Sequence, residues 1–250
     1  MRALAGEEIL TAWERSRDLP AQEAVLSLLA LASPGREINE LARLPLGERN
    51  ALLLELRAMT LGRRMEGFAV CPECGAQLEF VLDAGELAKG LRVEPVHAAD
   101  EIAGYTMRPV NTFDLLRASA AGSEEQARAI MLARTVGVER PDPESSDQAG
   151  SWTDAWLQSQ PVHVAELLLA RFERINASSE IRVQFRCAAC QSRPLLDLDI
   201  AHFVLREITG AARRLVTEIH QLASAYGWSE RSIATMSATR RAAYLEMLST

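Results

Sequence analysis

Two short stretches, Cys71-Pro-Glu-Cys74-Gly75 and Cys187-Ala-Ala-Cys190, contain all four cysteines of the chain. Two residues between cysteines let one tight turn aim both sulfurs at one ion, and Gly75 lets the backbone fold back without a Cβ penalty. Gly67-Phe-Ala-Val70 leads into the first pair, and Leu78-Glu-Phe-Val-Leu82 leaves it with strand-like alternation. Ile181-Arg-Val-Gln-Phe185 leads into the second pair, and Pro194-Leu-Leu-Asp-Leu-Asp-Ile200 leaves it. Each pair therefore sits at the tip of a predicted β-hairpin, and the two hairpins share a layout while their sequences differ.

Zinc takes four ligands at about 2.3 Å in a tetrahedron, and each pair supplies two. The spacing predicts one structural Zn2+ held by Cys71, Cys74, Cys187 and Cys190. Such an ion would join residue 71 to residue 190 and leave residues 75 to 186 as a long loop. Closing a loop of that length is expected to require the two hairpins to pair as strands. Two other readings compete: unmetallated pairs, and a thiol redox protein. The second is weakened because neither pair lies between a strand and a helix start in a βαβ unit. A catalytic zinc keeps one coordination position open, whereas four cysteines fill the shell.

The chain reads as a non-enzyme. Its histidines, His97, His163, His202 and His220, make no metal-binding helical spacing. His202, although close to Cys190, reads as a capping or surface residue. No dinucleotide-binding glycine motif, Walker loop or nucleophile elbow is present, and Asp197 and Asp199 read as the end of a strand.

Outward from the cysteines, the periodicity is helical. Helices are predicted over Glu7 to Arg17, Ala21 to Ala32 and Leu46 to Leu61, the last with a polar first turn (Glu48, Arg49, Asn50) and a core face of Leu53, Leu56 and Met59 or Thr60. Between the hairpins, Tyr105 to Pro109 reads as a strand and Asn111-Thr112 as the cap of a helix through Ser119. Ser123 caps a helix to Thr135, Gly137 to Ser151 is polar enough to be a mobile loop, and Pro161 to Arg174 is helical. Ala201 to Tyr226 forms a long helix with one apolar seam: Leu205, Ile208, Ala212, Leu215, Ile219, Leu222 and Tyr226. Ser229 and Ser237 sit where caps of two short final helices belong. The expected fold is α+β and predominantly helical, with two β-hairpin zinc knuckles forming a zinc-ribbon-like element. Its parts are an N-terminal helical region (1–64), the first hairpin (65–83), a mostly helical insert (84–178), the second hairpin (179–200) and C-terminal helices (201–250).

The 250 residues are 48% hydrophobic and 24% charged, a balance compatible with a globular protein. No run of about 18 apolar residues marks a membrane span, and no apolar core follows Arg2 to make a secretory signal. The expected location is cytoplasmic at synthesis. The net charge of −7, with arginines interleaved among acids, argues against nucleic acid as partner. Only Arg182, Arg186 and Arg193 make a locally basic stretch, which keeps a zinc-ribbon nucleic-acid-binding regulator as the alternative.

The segment Leu46-Gly-Glu-Arg-Asn-Ala-Leu-Leu-Leu-Glu-Leu-Arg-Ala-Met-Thr-Leu-Gly62, followed by Cys71-Pro-Glu-Cys74 and Leu78-Glu-Phe80, resembles the helix, glycine and Cys-Pro-x-Cys order of the T-even phage baseplate protein family. Tyr226-Gly-Trp-Ser-Glu-Arg-Ser-Ile233 and Arg240-Arg-Ala-Ala-Tyr244 are similar to a phage-tail pattern in which a Trp-containing turn begins a short helix. The resemblance covers roughly the first third and last tenth of the chain. It implies a structural or assembly role in the baseplate of a contractile phage tail or related injection system, with other tail or baseplate proteins as partners and a place in an assembled phage-like particle. The apolar seam from Leu205 to Tyr226 is then either an assembly face or, as the plainer reading has it, the surface that packs on the N-terminal helices. Trp228 likewise reads as a core anchor before an interface residue.

Overall fold

The structure, a computed structural model, describes residues 1–91, 105–138 and 160–248. It is predominantly helical, with three separate two-stranded antiparallel sheets among the described residues. The N-terminal region contains α1 (Gly6–Ser16), α2 (Ala21–Ala32), α3 (Ile38–Arg43) and α4 (Leu46–Leu61). A ribbon of β1 (Arg64–Val70) and β2 (Gln77–Asp83) follows, then α5 (Ala84–Gly90). The insert comprises β3 (Tyr105–Met107), α6 (Thr112–Ala118), α7 (Glu124–Thr135), β4 (Val136–Val138) and α8 (Val162–Asn176), with β3 and β4 paired. The second cysteine ribbon is β5 (Arg182–Gln184) with β6 (Leu195–Asp197), and α9 (Ile200–Tyr226), α10 (Glu230–Ala234) and α11 (Ala238–Leu248) close the chain.

Helix α2 carries apolar residues on most of its circumference and is correspondingly central, with Val25, Leu28, Leu29 and Ala32 buried. Around it pack Leu41 of α3, Leu53, Leu54 and Leu56 of α4, Met65 of β1, Ala84 and Ala88 of α5, and Ile200, Val204 and Ile208 of α9. Both cysteine ribbons are thus rooted in the main core, the second through Ile181, which immediately precedes β5, and through Val183 and Leu198 packed against the core. A second cluster lies in the insert, where Leu168 and Phe172 of α8 meet Met107, Val110, Leu132 and Val136. A third joins Leu10 of α1 to Leu215, Ile219 and Leu222 of α9 and Ile233 of α10.

The seam of α9 is internal: Ile208, Ala212, Leu215, Ile219 and Leu222 are buried against the chain's own helices, while Leu205 is half-buried and Tyr226 exposed at its two ends. It is therefore not an assembly face. Trp228 packs on the third cluster, stacked on Tyr226 with ring centroids 4.6 Å apart and edge-on to Tyr244 at 4.8 Å.

The first turn of α4 departs from the sequence reading. Arg49 and Asn50 are buried, and of Met59 and Thr60, the alternatives for the end of the core face, Met59 is exposed and Thr60 half-buried. The reason is a polar junction between α2, α4 and α6. Arg49 donates from Nη1 to Gln22 Oε1 (2.5 Å) and Thr112 Oγ1 (3.1 Å) and from Nη2 to Asn50 Oδ1 (2.9 Å), while Asn50 Nδ2 donates to the Ser179 carbonyl (3.4 Å). Burial pulls the Arg49 pKa down to about 10, against the opposing charge of Asp199. At the other end of α4, Arg57 makes a two-pronged contact with Glu207 of α9 (2.7 Å each) and donates to the carbonyl of the capping Gly62 (2.5 Å).

The caps read from sequence hold. Asn111, Ser123 and Ser229 accept from backbone amides of α6, α7 and α10, and Ser237 Oγ accepts from the Arg240 amide. Asp199, expected at a strand end, instead caps α9 by accepting from the His202 amide (2.9 Å). Helices α3 and α5 and strand β4 were not anticipated. Gly137 and Val138 belong to β4 rather than to the expected mobile loop, whose remaining residues lie outside those described.

Asp114 organises the insert. Its fully buried carboxylate accepts from Arg108 (2.6 and 3.0 Å), from Arg134 (2.9 Å) and from the Asn111 amide (3.0 Å). Burial acts to raise its pKa, but Arg108, the Asn111 amide and Arg134 outweigh it and hold the carboxyl below its ordinary value. A carboxyl depressed in the folded state adds stability above its unfolded pKa of about 3.9 and loses it as pH falls through the folded value. Asp114→Asn is expected to cost about 2–4 kcal/mol at neutral pH. Denaturant titrations at a series of pH values should also show a shallower acid loss in the variant than in the parent.

Candidate metal centre

Each cysteine pair caps a ribbon whose register delivers it. In the first, Val70 faces Gln77 as the last strand pair. The Cys71 amide then donates to the Ala76 carbonyl (2.9 Å) and the Gly75 amide to the Cys71 carbonyl (2.9 Å). The second reproduces both bonds: the Cys187 amide donates to the Ser192 carbonyl (2.9 Å) and the Gln191 amide to the Cys187 carbonyl (2.9 Å). In both, the residue after the second cysteine is left-handed, Gly75 at φ +75° and Gln191 at φ +61°. Gln191 is the one described non-glycine residue with positive φ. Its side chain holds it there: Oε1 accepts from Arg186 (3.0 and 2.7 Å) and Nε2 donates to the Ala188 carbonyl (2.9 Å).

The two knuckles face each other. Cys71 Sγ lies 3.8 Å from Cys190 Sγ and Cys74 Sγ 3.6 Å from Cys187 Sγ, and all four sulfurs fall within 4.8 Å of one another. These separations exceed the 2.05 Å of a disulfide, and all four cysteines are free thiols. The first cysteine of each pair is buried and the second exposed. Cys71 and Cys187 pack with Leu78, and Ala76, Phe185 and Leu196 close around them. All four sequence-predicted ligands therefore come together, compatible with a metal site. His202 is exposed on α9, and the clustered metal-binding side chains are the four cysteines alone among the described residues.

The expected strand pairing between the hairpins does not occur. β1–β2 and β5–β6 are separate sheets, joined through side chains: Phe80 of β2 lies 5.5 Å from Phe185, centroid to centroid, and 6.3 Å from Phe203 of α9. Rings wedged between the ribbons take the place of backbone hydrogen bonds, and the shared main core meets the cost of loop closure.

Sequence reading missed Ser192. Its hydroxyl is 3.1 Å from Cys190 Sγ and 3.5 Å from Cys71 Sγ, bridging the two knuckles. Hydrogen bonding from Ser192 is the chief cause that lowers the Cys71 thiol to about 6 and draws Cys190 below its ordinary value. The Ala76 amide lowers the Cys74 thiol, but its neighbours Cys190, Cys187 and Cys71, together with burial, prevail and push it up to about 12. The Ser192 hydroxyl thus steadies negative charge at Cys71 and Cys190. No known protein family, curated protein or solved structure matches the chain.

A Cβ added at Gly75 meets nothing within 4 Å, so Gly75→Ala tests the backbone alone. It is expected to cost about 1–2 kcal/mol, the penalty of a left-handed alanine, as a lower midpoint of chemical denaturation with an unchanged slope.

Proposed function

We propose that this chain is a zinc-stapled assembly protein of a phage-like contractile-tail baseplate, with Cys71, Cys74, Cys187 and Cys190 holding one structural Zn2+. The observation that carries the zinc reading is the spacing of the sulfurs. Four thiolates at about 2.3 Å from a central ion stand about 3.8 Å apart in a regular tetrahedron, and the Cys71–Cys190 and Cys74–Cys187 sulfur contacts across the knuckles are 3.8 and 3.6 Å. An all-sulfur set of this shape suits zinc among the common biological cations. The ion supplies a cross-link, since four protein ligands complete its shell.

The assembly reading rests on two supports. One is the resemblance of Leu46 to Phe80 and of Tyr226 to Tyr244 to baseplate and tail patterns. The other is what the cross-link presents: on the outward faces of the ribbons Phe68, Val70, Val81 and Leu195 are each more than half exposed. Large apolar side chains gathered on a pinned ribbon are the kind of surface that protein partners cover.

Native material is expected to contain one zinc per chain by elemental analysis. Cys71→Ser and Cys190→Ser should each lose the metal and lower stability by about 3 kcal/mol or more, roughly 6–12 °C in Tm. A chelator should release amide protection in both ribbons together, and loss from one ribbon alone would refute the shared ion. Co-purification with sheath, tube or spike proteins tests the baseplate assignment, which falls if the tagged chain recovers none of them from a host that expresses the cluster.

A further inference from the structure

Between the two ribbons and the first half of α9 lies an open cleft of about 620 Å³. Two of its walls are runs of consecutive residues, 66–69 in β1 and 196–199 in and after β6. A strand seen face-on presents every second residue, so consecutive residues along a wall mean that the strand stands edge-on to the space. β1 is paired only with β2, and β6 only with β5, among the described residues. The edges turned to the cleft are therefore the ones whose amides and carbonyls have no strand partner, the usual template for an added strand.

The cleft also has a chemical polarity. Phe80, Phe185 and Phe203 meet in it and Phe68 stands at its rim. Of the acids that line it, Glu207 is held by Arg57, Glu66 by Arg64, and Asp199 caps α9, which leaves Asp197. Of the cations, Arg206 and Arg214 make no ion pair or hydrogen bond among the described residues. They lie on one face of α9 on either side of Gly210, and the Arg214 guanidinium folds over that glycine, with Nη1 3.4 Å from where a Cβ would stand. The unbalanced charge is positive on the α9 side.

We propose that this cleft receives an extended segment of a partner protein, added as a strand along the open edges of β1 and β6. An apolar side chain of that segment enters the phenylalanine cluster, and its carboxylates meet Arg206 and Arg214. Main-chain pairing supplies the affinity of such docking, and the alternate side chains supply its selectivity. The inference rests on the reading of this chain as an assembly protein and names the chemistry of the partner that reading requires.

The test is selection of a display library of short random peptides against the metal-loaded full chain. Enriched peptides are expected to alternate apolar and acidic residues and to protect from hydrogen exchange the outward-facing amides of Glu66, Phe68 and Asp197, whose neighbours in the register already bond to β2 and β5. N-methylation at alternate positions should abolish binding. Arg206→Glu with Arg214→Glu should weaken it about tenfold or more, with zinc content and Tm retained. Phe68→Ser, at an exposed position, should weaken it as well and serves if the double variant folds poorly. Failure to enrich any sequence, equal binding to both variants, protection at another surface, a helical bound peptide, or occupancy by a second copy of the chain would each overturn the proposal. With a full zinc complement such a failure falls on the cleft alone, because the assembly reading stands or falls on co-purification with tail proteins.

Discussion

Positions 71 and 190, separated by 119 residues, must be brought within a few ångströms, and the rest of the molecule is arranged around that demand. A covalent link across a loop of about that length removes roughly 5 kcal/mol of chain entropy from the unfolded state. A metal link of four sulfurs would act on the same term, provided that the folded chain already presents both knuckles in place. It does so by rooting each ribbon in the main core rather than by joining the ribbons to each other. Met65, Leu82, Ile181, Val183 and Leu198 all reach the cluster built around α2. The sulfur cluster itself is small, with Cys71, Leu78 and Cys187 as its buried members. A metal ion held there would pin surfaces that the core has already brought together.

What was legible in the sequence was local. Helices α2 and α4 and the cap-to-end span of α7 fall where apolar spacing, proline, glycine and serine place them. The meeting of the four cysteines was legible because two pairs at a spacing of three, each flanked by alternating strands, have few other uses. The missed elements are short: six residues in α3, seven in α5 and three in β4. Segments of that length carry too few periods to reveal themselves and exist because neighbours bury them.

The remaining gaps concern partners far apart in the chain. The first turn of α4 looks like a solvated face, since nothing in residues 46 to 50 announces that Gln22, Thr112 and Ser179 will surround Arg49 and Asn50. Ser192 gave no signal either; its value lies in reaching a cysteine from the opposite knuckle. The seam of α9 shows the reverse case, in which periodicity is plain but its partner is not. Amphipathicity says that a stripe will be covered, and only the tertiary arrangement says that α1, α2 and α4 cover it.

Helix α9 begins three residues after β6 ends and runs without interruption for 27 residues, about 40 Å, to the left-handed Gly227. One end is anchored beside the cysteine knuckles and the other among Trp228, Tyr244 and Ile233. The second ribbon and the C-terminal aromatic cluster are thus tied through one unbroken run of helical hydrogen bonds, with no loop between them to absorb a change in their spacing.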